Sequence, residues 1–181
     1  VEPVIRPAEP ARDAAACAAI YAPYALDSPA TFDLEPLPAA EFERRIEQLS
    51  DSHAFLVAER DGEVAGYAYA SPHRPRAAYR WAADVTVYVA PRHHRRGVGR
   101  ELYGALLERL RERGFRTAWA GITLPNAGSV GLHESFGFEQ AGLFRAVGWK
   151  GGAWRDVGWW RLQLAPQEEA DGTPPAEPAP A

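Results

Sequence analysis

At 181 residues, 46% hydrophobic and 24% charged, the chain has the composition of one ordered globular domain and the length to bury a core without disulfides. Its formal charge of −4 is unevenly spread: residues 166–181 hold four acids, Glu168, Glu169, Asp171 and Glu177, and no base. Residues 1–165 balance at 20 acids and 20 bases, which excludes a domain that holds nucleic acid by bulk charge.

Val4–Arg6 reads as a short strand. Cys17, Ile20, Tyr21 and Tyr24 give helical spacing over Asp13–Leu26. Cys17 is the single cysteine, so no internal disulfide exists and a reducing cytoplasm is expected. The Ala14–Leu26 run is too short for a membrane span and carries Pro23, and Glu2, Pro3 and Pro7 do not read as a signal peptide. After a Pro-rich link, Ala39–Leu49 is a second helix with Phe42, Ile46 and Leu49 on one face. His53–Arg60 and Glu63–Ser71 flank Asp61-Gly62 as a hairpin. His73–Arg80 is a basic loop, and Trp81–Val89 returns to strand by alternation. Pro91–Gly99 is a polar turn into an amphipathic helix that ends at Arg113, with Leu102, Leu106, Leu107 and Leu110 as its apolar stripe. Thr117–Thr123 (strand), Ala127–Phe136 (helix), and the strands Glu139–Trp149 and Arg155–Leu164 complete the body. From Pro166 the chain has five prolines in 16 residues and is expected to stay a disordered acidic tail.

The order β-α-α-β-β-β-α-β-α-β-β defines a mixed α/β (α+β) single domain over 1–165, a twisted mixed sheet flanked by about four helices. Strand 81–89, the long helix and strand 117–123 form one βαβ unit with a parallel pair, and such units bind ligands beyond the strands' carboxyl ends. The turn Arg92-His-His-Arg-Arg-Gly-Val-Gly-Arg100 lies there. Its glycines admit close backbone approach, and the amides of a helix start together with arginines attract phosphate oxygens. It lacks the Gly-Lys-Ser/Thr of a Walker loop and the third glycine of the dinucleotide fingerprint. His93-His94 has no third ligand at useful spacing, so no metal is expected.

Tyr88–Gly99, Leu124-Pro-Asn126, Leu132-His-Glu-Ser-Phe-Gly-Phe138 and the late Trp149–Trp160 segment, in this order, resemble the GNAT-superfamily N-acetyltransferases. The closer resemblance is to the phosphinothricin and methionine sulfoximine or sulfone (L-amino acid) branch. It implies acetyl-CoA as co-substrate and an amine acceptor bearing a carboxylate, acetylated by direct attack in a ternary complex. It also implies a homodimer, with no membrane or nucleic-acid partner. Val87, Tyr88 and Val89 would pair with the pantetheine arm. The amides of Arg95, Arg96, Gly97, Val98, Gly99 and Arg100 would hold the pyrophosphate, and Asn126 and Ser135 would contact the cofactor. The turn departs from the family in having His94 where Gln or Arg is usual.

Asp84, a carboxylate inside an apolar strand, is the candidate general base, since burial raises a carboxylate's pKa. The family usually has Glu there, so Asp84 stops about 1.5 Å short; it would act through a water, or else activity would be reduced or aimed at another amine. His133 aligns with a position that protonates the departing thiolate, and a backbone N–H near Val87 would steady the thioester oxygen. Arg74 and Arg76 form a candidate guanidinium clamp for the acceptor's carboxylate, with Tyr79 beside them, and Thr31 and Phe32 resemble the family's aromatic wall over that pocket. Lys150, Trp154 and Asp156 are expected to shape the pocket rim and dimer edge. The alternatives are an enzyme for another amine (protein N-terminus or polyamine) and a CoA-binding sensor without catalysis.

Overall fold

The computed structural model describes residues 2–166 and 171–181; residues 167–170, part of the tail expected to be disordered, lie outside the described residues. Seven strands form one sheet in the order β1-β2-β3-β4-β5-β7-β6. They are β1 (Val4–Pro7), β2 (Ala54–Arg60), β3 (Glu63–Pro72), β4 (Ala82–Val89), β5 (Thr117–Leu124), β6 (Glu139–Lys150) and β7 (Ala153–Gln163). The helices are α1 (Pro10–Asp27), α2 (Ala39–Ser52), α3 (Val98–Glu112) and α4 (Ala127–Ser135). The pair β4–β5 is parallel, as the βαβ reading requires, and every other pair is antiparallel.

Alternation along the strands sorts side chains between two cores. Leu56, Ala68, Ala70, Val85, Ala118 and Ala120 face α3, whose Leu102, Leu106, Leu107 and Leu110 are fully buried against them. Phe55, Val57 and Tyr67 face α1 and α2, packing on Ile20, Tyr21, Phe42 and Ile46. Cys17 is fully buried in that second core, and burial pushes its thiol up to about 12.

Turn chemistry sets the hairpins. Asp61 and Gly62 take φ of 53° and 81°, and Gly151 and Gly152 take 61° and 73°, the positive pair a two-residue hairpin demands. The second turn extends β6 and β7 closer together than the sequence boundaries, to Lys150 and Ala153. Helix α1 begins three residues before its expected start, with Pro10 opening the first turn. There the Asp13 carboxylate accepts from the Glu9 N–H at 2.7 Å and from Arg6 at 2.7 and 2.8 Å.

The described tail residues do not leave the body. The Ala176 carbonyl accepts from Trp81 Nε1 at 2.8 Å, and the Ala179 and Ala181 amides donate to the Arg113 and Asp51 carbonyls. Glu177 pairs with Arg80. These contacts use backbone groups and one ion pair, interactions that a composition-based reading of order does not see.

Candidate active site

The site begins where two parallel strands part. β4 and β5 are paired only through Ala82↔Thr117, Ala83↔Ala118 and Asp84↔Trp119. Beyond Asp84 the β5-facing edge of Val85–Val89 has no strand partner among the described residues. The opening is a cavity of about 620 Å³ between Val85–Val89 on one wall and Ala120–Thr123 on the other. Its outer end is closed by His93, His94, Arg95, Gly97, Val98, Gly99 and Arg100, and its far wall by Asn126, Gly128, Ser129, Leu132 and His133.

The turn into α3 has the conformation an anion needs. Arg95 and Gly97 both take positive φ, 58° and 83°, so successive amides converge, and Gly97 serves as a left-handed N-cap without a side-chain bond. An alanine Cβ at Gly97 would meet nothing within 4 Å, so backbone conformation rather than crowding selects glycine there. The first intrahelical bond of the turn runs from the Glu101 N–H to the Gly97 carbonyl, leaving the preceding amides of the helix start directed outward. Asn126 caps α4 by accepting from the Ser129 N–H at 3.1 Å.

Three expected cofactor contacts sit differently. The Val89 carbonyl already accepts from the Tyr24 hydroxyl at 2.5 Å, and His94 Nε2 lies 3.0 Å from the same oxygen and 2.7 Å from that hydroxyl. Ser135 is outside the cavity lining: its hydroxyl donates to the Leu132 carbonyl and accepts from Arg100. Arg96 is likewise outside the lining, its carbonyl facing Arg60.

At the inner end, Asp84 lies one residue past the cavity wall, on the sheet face that carries Thr86 and Tyr88. Burial raises its pKa, and hydrogen bonding to His73 works against that rise. His73 Nδ1 donates to Asp84 Oδ1 at 2.5 Å, a contact the sequence reading missed by treating 73–80 as a basic loop. Of the residues predicted to hold an acceptor, Tyr79 and Arg74 lie near this pair. Tyr79 packs edge-on to His73 at 5.9 Å, and the Arg74 guanidinium sits over Trp159 at 5.6 Å. Arg76 is exposed.

Phe32 comes from the α1–α2 connection and lies against β6: an added Cβ at Gly148 would stand 2.4 Å from its ring. That connection is held from beneath by Lys150, a second residue whose importance the sequence reading understated. Its buried ammonium donates to the Thr31 and Asp33 carbonyls at 2.7 Å each and lies 3.4 Å from the Tyr24 carbonyl. Burial lowers the ammonium's pKa, and the nearby Asp33 carboxylate opposes this. Asp156 accepts from the Ala146 N–H at 2.7 Å, holding the β6 bulge where Ala146 takes φ of 47°.

His133 borders the cavity but has both ring nitrogens engaged. Nδ1 faces the Ser129 carbonyl at 2.7 Å and Nε2 the Tyr103 hydroxyl at 2.6 Å, and burial pushes its pKa down. A neutral ring whose N–H is already donated is a poor proton source for a thiolate.

The sequence model of the acetyltransferase (GNAT) family matches residues 19–138. The chain belongs to that family and is an N-acetyltransferase. It is 45% identical over 157 residues to the phosphinothricin N-acetyltransferase of Streptomyces viridochromogenes, covering 87% of this chain and 85% of that one. The L-methionine sulfoximine/L-methionine sulfone acetyltransferase of Pseudomonas aeruginosa is 38% identical, over 72% and 75% of the two chains. Among solved structures, a phosphinothricin acetyltransferase from Sinorhizobium meliloti, in complex with acetyl-CoA, superposes with a TM-score of 0.89 at 32% identity, covering 99% of this chain and 96% of that one. No helix among the described residues is long and apolar enough to cross a membrane.

Proposed function

We propose that the chain acetylates the α-amine of an amino acid or analogue of the phosphinothricin, methionine sulfoximine or methionine sulfone type, with acetyl-CoA as acyl donor. The carrying observation is the parting of β4 and β5 at Asp84, with an amide-rich turn at one end and a half-buried carboxylate at the other. The free edge at Val87 and Tyr88 suits the pantetheine arm, and the amides of Arg95–Arg100 with the Arg100 guanidinium suit the pyrophosphate. Acetyl-CoA supplies the acyl group as a thioester. The chain's own residues do the rest. A backbone N–H near Val87 donates to the thioester oxygen, and Asp84 serves the acceptor's ammonium as the site of proton removal.

Direct attack by the amine fits the sulfur inventory. The chain's one thiol, Cys17, is fully buried in α1 and outside the cleft, so it offers no acyl-carrying nucleophile. Arg74 and Arg76 favour a carboxylated acceptor and oppose a polyamine. We assign His133 to ordering the cavity wall through Ser129 and Tyr103 rather than to protonating the thiolate. The edge strand β6 exposes Leu143, Phe144 and Val147, and Trp149 meets Trp154 at the hairpin beside it. An apolar edge of this kind suits a second copy of the chain.

The test is thiol release from acetyl-CoA with a panel of free amino acids, phosphinothricin, methionine sulfoximine, methionine sulfone, a polyamine and a peptide N-terminus. Turnover concentrated on the carboxylated small amines supports the reading. Turnover confined to the polyamine or peptide, or acetyl-CoA binding without turnover on any amine, overturns it.

A further inference from the structure

We propose that the proton-accepting atom of the site is Nε2 of His73, held in place by Asp84. This rests on the acetyl-transfer reading above and moves its base by one side chain. His73 follows Pro72, the residue paired with Ala83 at the end of β3, and Ser71 stands opposite Asp84. Side chains at 71 and 73 share a face, so the register brings His73 diagonally over Asp84. The bond from Nδ1 to the carboxylate, 2.5 Å, fixes the tautomer: the ring's proton lies on Nδ1 and its lone pair on Nε2. Nε2 has no protein partner among the described residues and is not sealed from solvent.

Three aromatic rings fix the imidazole plane. It stacks on Trp119 at 5.1 Å and 20°, and meets Trp159 at 6.0 Å and Tyr79 at 5.9 Å edge-on. The ionisable and charged groups around the pair come from each neighbouring element. They are Asp84 on β4, Arg74 and Tyr79 on the connecting loop, and Arg161 of β7, whose guanidinium lies 6.0 Å from the Trp119 ring. His73 is the more enclosed partner, its side chain 12% exposed against 28% for Asp84. A carboxylate holding one imidazole nitrogen while the other stays open is the arrangement of an oriented general base.

The dyad resolves the length problem of the short carboxylate. An aspartate at 84 falls about one methylene short of a glutamate, and the imidazole carries the basic atom beyond the carboxylate, over Trp119 at the last paired rung of β4 and β5. It also changes the chemistry, since the proton then passes to a nitrogen lone pair rather than to a carboxylate oxygen. The ammonium N–H bond breaks with its electron pair staying on nitrogen, and the proton passes to Nε2, giving an imidazolium paired with the Asp84 carboxylate. The amine's lone pair then forms the new C–N bond as the C–S bond breaks. The amine's second transferable proton leaves as the amide forms. Of the two protons, one ends on the departing sulfur and one in solvent.

Three variants test this against wild type: His73→Asn, whose amide keeps a donor at the Nδ1 position, His73→Ala and Asp84→Asn. Each is followed by kcat/KM against pH and by thermal unfolding. His73→Asn is expected to lose about 10²- to 10⁴-fold in kcat/KM for the acceptor, with KM for acetyl-CoA and the melting temperature little changed. Its acid limb moves to lower pH, because the residual base is a carboxylate. Added imidazole should restore part of the His73→Ala rate. If His73→Asn stays within about twofold of wild type with the same acid limb, the dyad is overturned and Asp84 acts without it. A loss that imidazole does not restore, accompanied by a fallen melting temperature, also overturns it. Absence of thiol release by wild type with every amine overturns the acetyl-transfer reading itself and takes the dyad with it.

Discussion

Replacing Lys150 with methionine removes a charge while keeping the length of its stem, so it isolates what the ammonium does for the acceptor wall. Lys150 is 7% exposed and holds two carbonyls at 2.7 Å, Thr31 and Asp33, on either side of Phe32. Hydrogen bonds from a charged donor are worth roughly 1.5–3 kcal/mol each. The released carbonyls lie on a connection that water can reach, so about 3 kcal/mol is the expected net loss. For a domain of this size that corresponds to a fall of about 6–12 °C in melting temperature. The untethered loop no longer holds Phe32 on Gly148, so KM for the acceptor should rise about tenfold, equivalent to about 1.4 kcal/mol. KM for acetyl-CoA should move less than that, because Lys150 itself is outside the cavity lining, which its connection meets only through Tyr24 and Ala30. Calorimetry and two-substrate kinetics read both effects. An unchanged melting temperature with an unchanged acceptor KM would show that the Tyr21 bonds to Thr31 and Asp33, each 2.5 Å, hold the loop alone and would refute the assignment.

Burial pushes the His53 pKa down to about 4 from an ordinary 6.5. The unfolded state then binds the extra proton first, so stability should decline as pH falls from 6.5 towards 4; denaturant melts of wild type and His53→Gln should show the variant's decline to be shallower. Removal of residues 171–181 strips three hydrogen bonds and the Glu177–Arg80 pair from the body. It should lower the melting temperature by a few degrees, about 1–3 kcal/mol, and leave KM for acetyl-CoA unchanged; an unaltered melting curve would mean that the tail does not rest there in solution. His133→Ala leaves the buried Tyr103 hydroxyl unpaired at a cost of about 1–3 kcal/mol. Thermal unfolding should register that cost, whereas a fall in turnover at unchanged stability would restore His133 as a proton donor.

The elements were legible because their signals are local. Asp61-Gly62 and the leucine stripe of α3 fix a hairpin and a helix wherever they occur, and the β4–α3–β5 run fixes a parallel pair. The glycine turn into α3 was legible for the same reason, since glycine spacing and a helix start lie within ten residues. What stayed hidden depends on register between distant segments. His73 looks like one more polar residue of a basic loop until the pairing of Ser71 with Asp84 places it over the carboxylate. Lys150 is a residue type that is rarely buried, and only the fold shows three carbonyls converging on it from residues 24–33. The Tyr103–His133 bond joins residues 30 apart on two helices, which no helical periodicity reports. The contacts of the described tail residues were hidden for a related reason: composition measures apolar surface, and these contacts are made by the tail's backbone carbonyls and amides.

The most direct measurement compares kcat/KM for methionine sulfoximine, with acetyl-CoA saturating, between wild type and Asp84→Asn. A base site at the parting of β4 and β5 predicts a loss of about 10²-fold or more, with KM for acetyl-CoA unchanged, since the amide-lined turn is at the other end of the cleft. Equal turnover in the two proteins would contradict it.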